Sequence, residues 1–251
     1  MKIPANGFTH AGKFHADDVF ATALLQILRP DIKITRGFTV PDDFDGIVYD
    51  IGFGMFDHHQ EPRETRPNGI PYAAFGLLWQ VLGPGLVGER QARLIDENFI
   101  QPLDLNDNTG EQNSLCDAIG FFNPVWDSKE DQDACFFKAV AVAKQILENQ
   151  IESANAVNRA DEKVQQRRDT ADRLAREFKA DGIIYEQMKY CDYWGFERAL
   201  VSYIMHEEYN WPVLSIDRLY NNGNSGQLRT RVQAFVESLE IKRIQKNGGT
   251  K

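Results

Sequence analysis

Apolar and polar positions along the chain follow two periods, and the switch between them sketches an α/β protein. Residues 17–28, Asp-Asp-Val-Phe-Ala-Thr-Ala-Leu-Leu-Gln-Ile-Leu, are apolar on nearly every side, which predicts a mostly buried helix. Asp17 or Asp18 caps its start and Arg29-Pro30 closes it. Ile32–Phe38 alternates apolar and polar residues as a strand does, and Gly46–Ile51 is a second short strand rich in branched residues. Strand, helix and strand in this order point to a parallel sheet with crossover helices. Such sheets bind ligands at the carboxyl ends of their strands. Asp50 sits at such an end, just before the turn residues Gly52 and Gly54.

Pro71–Leu82 and Glu89–Ile100 are further helical segments, separated by the breaker run Gly83-Pro84-Gly85. From Ser128 to Lys179 there is neither Pro nor Gly, so one or two long helices are expected. The first part is amphipathic around Phe136, Val140, Ala143 and Ile146; the second, near Arg159–Arg176, is heavily charged. That pattern suits a solvated helix joining two domains. Beyond Gly182, strands are expected over Ile183–Met188, Trp211–Leu219 and Gln227–Ala234, with a helix over Trp194–His206. The reading is an α/β chain with a parallel-sheet domain over 1–150, a helical linker over 151–180 and a smaller C-terminal α/β domain over 181–251. No internal repeat or low-complexity tract interrupts it.

Composition adds constraints. With 42% apolar and 26% charged residues in 251, the chain has the make-up of an ordinary globular protein. No run approaches the ~18 apolar residues of a membrane span. The N-terminus has neither signal nor transit character, so a cytoplasmic protein with no membrane partner is expected. Cys116, Cys135 and Cys191 are odd in number and far apart, which fits neither a disulfide framework nor a Cys-x-x-Cys zinc pair. The net charge of −9 is uneven: residues 1–157 carry an excess of 11 negative charges and the remainder an excess of 2 positive ones. The acidic part suits a site that collects cations. The rest is no broad basic surface for long duplexes.

Four of the five histidines fall in two short motifs. One is Thr9-His10-Ala-Gly-Lys-Phe-His15-Ala-Asp17-Asp18; the other is Asp50-Ile-Gly-Phe-Gly-Met-Phe-Asp57-His58-His59-Gln60. Asp104-Leu-Asn-Asp107-Asn108 follows. Imidazole and carboxylate together suit zinc, manganese or iron. A bridging Asp holds two cations about 3.5–4 Å apart, the arrangement that clamps both oxygens of an in-line phosphoryl displacement. In loop or strand geometry His15 and Asp17 point to the same side, so one segment serves both metals. A lone His is ordinarily structural, but four clustered beside aspartates favour a metal site over that reading. Asp18 reads first as a helix cap and second as a ligand.

These motifs resemble the DHH phosphoesterases, a superfamily of RecJ-type exonucleases, oligoribonucleases and family II pyrophosphatases. The usual first motif there is His-x3-Asp-x-Asp. Here it reads His10-x4-His15-x-Asp17, which, with Asp104-x-x-Asp107-Asn108, is similar to the Myg-type exonuclease branch. The resemblance implies two divalent ions, manganese first, with zinc, iron or magnesium as alternatives. It implies one metal at His10, His15 and Asp50, and a second at Asp17, Asp50, His58 and either Asp104 or Asp107. Asp50 would bridge, Asp57 would orient His58, and His59 would face the scissile phosphate. The implied activity is a 3′-to-5′ exonuclease acting on RNA or short single-stranded oligonucleotides, in which water shared by the metals attacks phosphorus.

The back half carries weaker signals. Asn221–Arg231 reads as a turn and a strand, with Arg229 and Arg231 on one face. Gly248 and Gly249 resemble the Gly-Gly loop with which DHH proteins hold substrate phosphate, and an ordinary hairpin with a frayed tail weighs about equally. Phe121, Phe122 and Trp126 read first as packing residues and second as base-stacking ones. Two other functions stay open. His15-Ala16-Asp17-Asp18 resembles the start of zinc-dependent sugar deacetylases, and the same fold is compatible with a non-catalytic nucleotide or phosphate sensor. A homodimer is also left open.

Overall fold

The computed structural model describes residues 1–189, 192–218 and 225–248. The chain divides into two compact units, Met1–Asn158 and Arg159–Lys251.

The first unit is built on a short parallel sheet. Strand β1 (Asn6–His10) lies between β2 (Lys33–Gly37) and β3 (Ile47–Val48), with Asn6 opposite Lys33, His10 opposite Gly37 and Gly7 opposite Ile47. The hydrophobic pattern does not announce β1, because Asn6, Gly7 and Thr9 interrupt its apolar run. Helix α1 (Ala16–Leu28) connects β1 to β2 and is buried through Leu25. Its Phe20 stacks on Phe75 at 5.6 Å and meets the edge of Phe99 at 5.4 Å. These contacts join α1 to α2 (Ala74–Val87) and to the π-helical turn Asp96–Ile100.

Helix α2 runs through Gly83-Pro84-Gly85, where the sequence predicts a break. The indole of Trp79 lies so close to Gly83 that a Cβ there would meet the ring, and its Nε1 donates to the Ala92 carbonyl at 3.0 Å. Packing of α2 on α3 (Glu89–Ile95) thus outweighs the local breakers. The helix stops at Gly88, where φ is 77°. Asp104–Asn108, read only as a polar segment, belongs to α4 (Gln101–Thr109). After α5 (Ser114–Gly120) comes α6 (Gln132–Glu177), one unbroken helix of 46 residues. Arg36 ties β2 to the start of α6: its guanidinium lies 4.2 Å from the Phe136 ring centroid and donates to Asp133 Oδ1 at 2.7 Å and to the Gly12 carbonyl at 2.8 Å.

In the second unit, β4 (Ile183–Met188) and β5 (Val213–Arg218) pair in parallel, connected by α7 (Asp192–Glu207). The strand expected over Gln227–Ala234 is instead part of helix α8 (Ser225–Gly248). Leu228, Val232, Phe235 and Leu239 recur every three to four residues, and Phe235 and Leu239 close over Gly182 at the entry to β4. The helical period therefore governs this segment. Arg229 and Arg231, two residues apart on a helix, lie roughly 200° around the axis from each other rather than on one face. Arg231 donates to the Ser215 carbonyl at 2.8 Å. Gly248 ends α8 instead of forming a loop, and Gly249 lies outside the described residues. The helical placement removes the arginine face, while the glycine pair falls partly outside the described residues. Among the described residues no helix is long and apolar enough to cross a membrane.

Candidate metal centre

The carboxyl ends of β1 and β3 bring the two histidine motifs together. His10 ends β1, and its Nδ1 lies 3.0 Å from the Ala11 carbonyl. Donation to that carbonyl directs Nε2 at two carboxylates, Asp18 Oδ2 at 3.3 Å and Asp50 Oδ2 at 3.2 Å. Asp50 follows β3 with φ at 58°, a left-handed conformation that Asp tolerates better than most residues. It is held there by its own N–H, which donates to Phe56 at 2.9 Å. This bend turns the other Asp50 oxygen, Oδ1, toward His58 Nδ1 at 3.3 Å and His59 Nδ1 at 3.7 Å. One carboxylate thus presents separate oxygens to His10 and to the His58-His59 pair.

Asp57 organises the loop around it. Its Oδ2 accepts the Phe53 N–H at 2.7 Å. Its Oδ1 accepts the His59 N–H at 3.1 Å and lies 2.7 Å from His59 Nδ1. The sequence assigned Asp57 to His58; the hydrogen bond goes to His59. Burial works against the charge on Asp57, but the N–H groups of His59 and Phe53 and the His59 ring outweigh it and hold the carboxyl below its usual range.

Helix α4 supplies the third side. Asp107 Oδ2 lies 3.0 Å from His58 Nε2, and Oδ1 lies 3.5 Å from Nδ1 of His15, whose ring is half exposed. Burial opposes the charge of Asp107 as well, and His58 outweighs it to lower the pKa. Asp104, one helical turn earlier, faces elsewhere. It is fully buried, with Oδ2 2.6 Å from Arg66 Nη2 and Oδ1 accepting the Gly76 N–H at 3.2 Å. Of the two aspartates that the sequence left open, only Asp107 reaches the histidines.

His15 is the extended N-cap of α1 and Asp17 lies in its first turn, and both side chains come near Asp107. Asp17 accepts the N–H groups of Ala74 and Phe75 at 3.0 and 2.8 Å. Helix α2 has no cap from its own N-cap residue, Ala73. Two distant carboxylates, Asp17 and Asp104, satisfy its first N–H groups. Asp17 nonetheless keeps an oxygen within 4.8 Å of ligand atoms of His58 and Asp107. Asp18 caps its own helix by accepting the His15 N–H at 2.8 Å while its other oxygen faces His10. Sequence reasoning treated cap and cluster as alternatives; one carboxylate has an oxygen for each.

The donor set suits a cation. Asp18 Oδ2, Asp50 Oδ1 and His58 Nδ1 are buried and form no hydrogen bond, an arrangement costly for polar atoms unless a positive charge lies between them. His10, Asp18 and Asp50 form one compact group, Asp17, His58 and Asp107 another, and Asp50 with Asp57, His58 and His59 a third. The protonation equilibria agree. Burial disfavours the His10 imidazolium, yet Asp18 and Asp50 outweigh it and push the group up to about 11. Burial likewise opposes the His58 imidazolium, but Asp107 and Asp50 raise its pKa. Burial, reinforced by neighbouring carboxylates, raises Asp17 and Asp50. Protons thus occupy positions that a metal would displace. The cluster opens into a cavity of about 540 Å³ that Asn108 of the third motif also lines, together with Lys13, Phe53 and Arg63, to which sequence reasoning gave no role.

Comparison with known proteins gives two different likenesses. The chain is 28% identical to the MYG1 exonuclease of Bos taurus over 187 residues, covering 58% of this chain and 49% of that protein. It is 28% identical to a MYG1 protein of Schizosaccharomyces pombe over 176 residues, covering 55% and 54%. These likenesses support a relationship to the MYG1 family. The chain spans about half the length of the curated MYG1 proteins it matches. Residues 120–239, just under half the chain, match the family model described as 2-hydroxyglutaryl-CoA dehydratase, D-component. A protein of Escherichia coli (strain K12), named only provisionally as a dehydratase subunit, is 29% identical over 66 residues, covering 26% of this chain and 17% of its own. No solved structure matches.

Proposed function

We propose that the first unit is a metal-dependent phosphodiesterase of DHH type that removes nucleotides from the 3′ end of RNA or short single-stranded oligonucleotides. The carrying observation is Asp50, with Oδ2 toward His10 and Oδ1 toward His58 and an oxygen lacking any hydrogen bond. The exonuclease names that several MYG1 relatives carry support this reading and do not favour a deacetylase or a sensor.

His10, Asp18 and Asp50, with His15 at the rim, would hold one divalent cation. Asp50, His58 and Asp107, with Asp17 behind them, would hold the second. Manganese is the metal that the DHH resemblance implies, with zinc, iron or magnesium as alternatives; the mixed imidazole and carboxylate set by itself suits zinc, manganese or iron equally. When bound, the cations would acidify a water and take up charge on the phosphoryl oxygens.

The chain's own residues supply the rest. Asp57 fixes Nδ1 of His59, so the other ring nitrogen is free to serve substrate; the side chain is 56% exposed, as such a group must be. His59 stabilises the phosphate and protonates the leaving oxygen. Asp57 acts by orientation, its Oδ2 accepting the Phe53 N–H and its Oδ1 the His59 N–H beside the ring, whereas Asp18 spends one oxygen on its cap and keeps the other for the cation.

The test is release of mononucleotides from a 3′-labelled single-stranded RNA in manganese, beside a chelated sample, Asp50→Ala and a pyrophosphate control. Activity is expected only in the metal-loaded native protein. Equal cleavage after chelation, or by Asp50→Ala, overturns the assignment.

A further inference from the structure

A second cavity, of about 300 Å³, adjoins the metal cluster and shares Lys13 and His15 with the first. Its lining includes Phe121, which is 86% exposed, while the first cavity's includes Phe53, 72% exposed. Sequence reasoning favoured packing for Phe121, Phe122 and Trp126. Phe122 does pack against the core, but Phe121 and Trp126 present their rings to solvent. Exposed aromatic rings lose favourable burial unless a partner covers them. Phe53 adopts this position at a φ of 55°, with its N–H fixed by Asp57. The carboxylate that orients His59 therefore also fixes the backbone of this exposed ring. Lys13, at the junction of the cavities, is exposed and forms no ion pair among the described residues.

Aromatic platforms and a cation beside a phosphoester site are the elements from which single-strand tracks are made. We propose that the two cavities form one track for a single-stranded oligonucleotide, with Lys13 holding the phosphate at their junction and Phe53 and Phe121 stacking on bases on either side. The inference deepens the phosphodiesterase reading and rests on it. It identifies the substrate as a strand of at least two base-bearing nucleotides, in preference to pyrophosphate or a simple phosphate ester.

The test separates binding from turnover. Anisotropy of a labelled tetraribonucleotide and of its abasic counterpart, in manganese, reads the track; release of product from each reads the chemistry. The native protein is expected to bind the base-bearing strand more tightly, by about fivefold or more per stacked base. Phe121→Ala and Phe53→Ala should each reduce that ratio. Trp126→Ala, at a ring that is also exposed but lines neither cavity, should leave it unchanged. Lys13→Gln should lower the slope of log affinity against log salt by about 0.7. Equal binding of base-bearing and abasic strands, or unchanged ratios in both Phe variants, overturns the track even if cleavage proceeds. A base-dependent ratio lost in these variants, with no cleavage of either strand, supports the track and refutes the phosphodiesterase assignment instead.

Discussion

Asp107 on α4 lies 3.0 Å from His58 Nε2 in the loop after β3, a contact that joins segments nearly fifty residues apart into one side of the candidate metal centre. Asp104 lies one turn away on the same helix and points at Arg66. Two neighbouring aspartates on a single helix therefore have different work, and their substitutions should separate cleanly.

Asp107→Asn should retain the fold and lose metal binding, with activity falling by at least about 100-fold, more than removal of an outer partner costs. Asp104→Ala should leave Arg66 without one of its buried partners and destabilise the protein by about 3–5 kcal/mol. Urea unfolding and metal titration on both variants make the comparison. The same stability loss in each would contradict the division of roles.

Asp57 holds His59 at 2.7 Å and the Phe53 N–H at 2.7 Å. Asp57→Asn retains an acceptor but not the charge, so a fall of about 10–100-fold in kcat is expected, the usual effect of an orienting partner. Steady-state kinetics in saturating manganese checks it, and an unchanged kcat would remove Asp57 from the mechanism.

The metal-free protein should lose stability as pH rises. His10 and His58 have folded pKa values above their unfolded ones, so their contribution is present in full below about 6.5 and is lost as pH rises through the folded values. For His10 that loss extends to about 11. Asp17 and Asp50 are also raised; they too bind more protons in the folded state, and the slope has the same sign. Manganese replaces those protons and reverses the trend, because acid competes with metal for the same atoms. Melting temperatures between pH about 6 and about 9, with chelator and with manganese, should therefore diverge as pH rises. Parallel curves would count against the site.

Gly76 gives a test of the scaffold alone. A Cβ there would collide with the Asp104 carboxylate and the Arg66 guanidinium. Gly76→Ala should destabilise by about 1–3 kcal/mol, the usual cost of crowding a packed interior. Thermal unfolding measures it, and a neutral result would mean that the buried pair yields more readily than its packing suggests.

Much of the first unit was legible because its signals are local. The apolar run 17–28 forms α1, the alternation at 32–38 forms β2, and the branched run at 46–51 holds β3. The glycine-free stretch after Ser128 forms α6. Local signals misled where contacts from elsewhere prevailed. Gly83-Pro84-Gly85 lies inside α2 because Trp79 and α3 pack there. Residues 227–234 contain apolar positions that fit two periods over a short window, and the longer window to Leu239 favours the helix.

The residue types fixed the chemistry: imidazoles and carboxylates gathered in three short segments are suited to cations whatever the fold, since their donor atoms are a property of the side chains. Tertiary structure decided which oxygen faces which nitrogen. It turned Asp107 inward and Asp104 toward Arg66, gave Asp17 to the start of α2, and left Asp18 with one oxygen for its cap and one for His10. Spacing along a chain encodes periodicity over a few residues. The direction of a buried carboxylate depends on partners from distant segments, and those come into reach only when the helices close over the sheet.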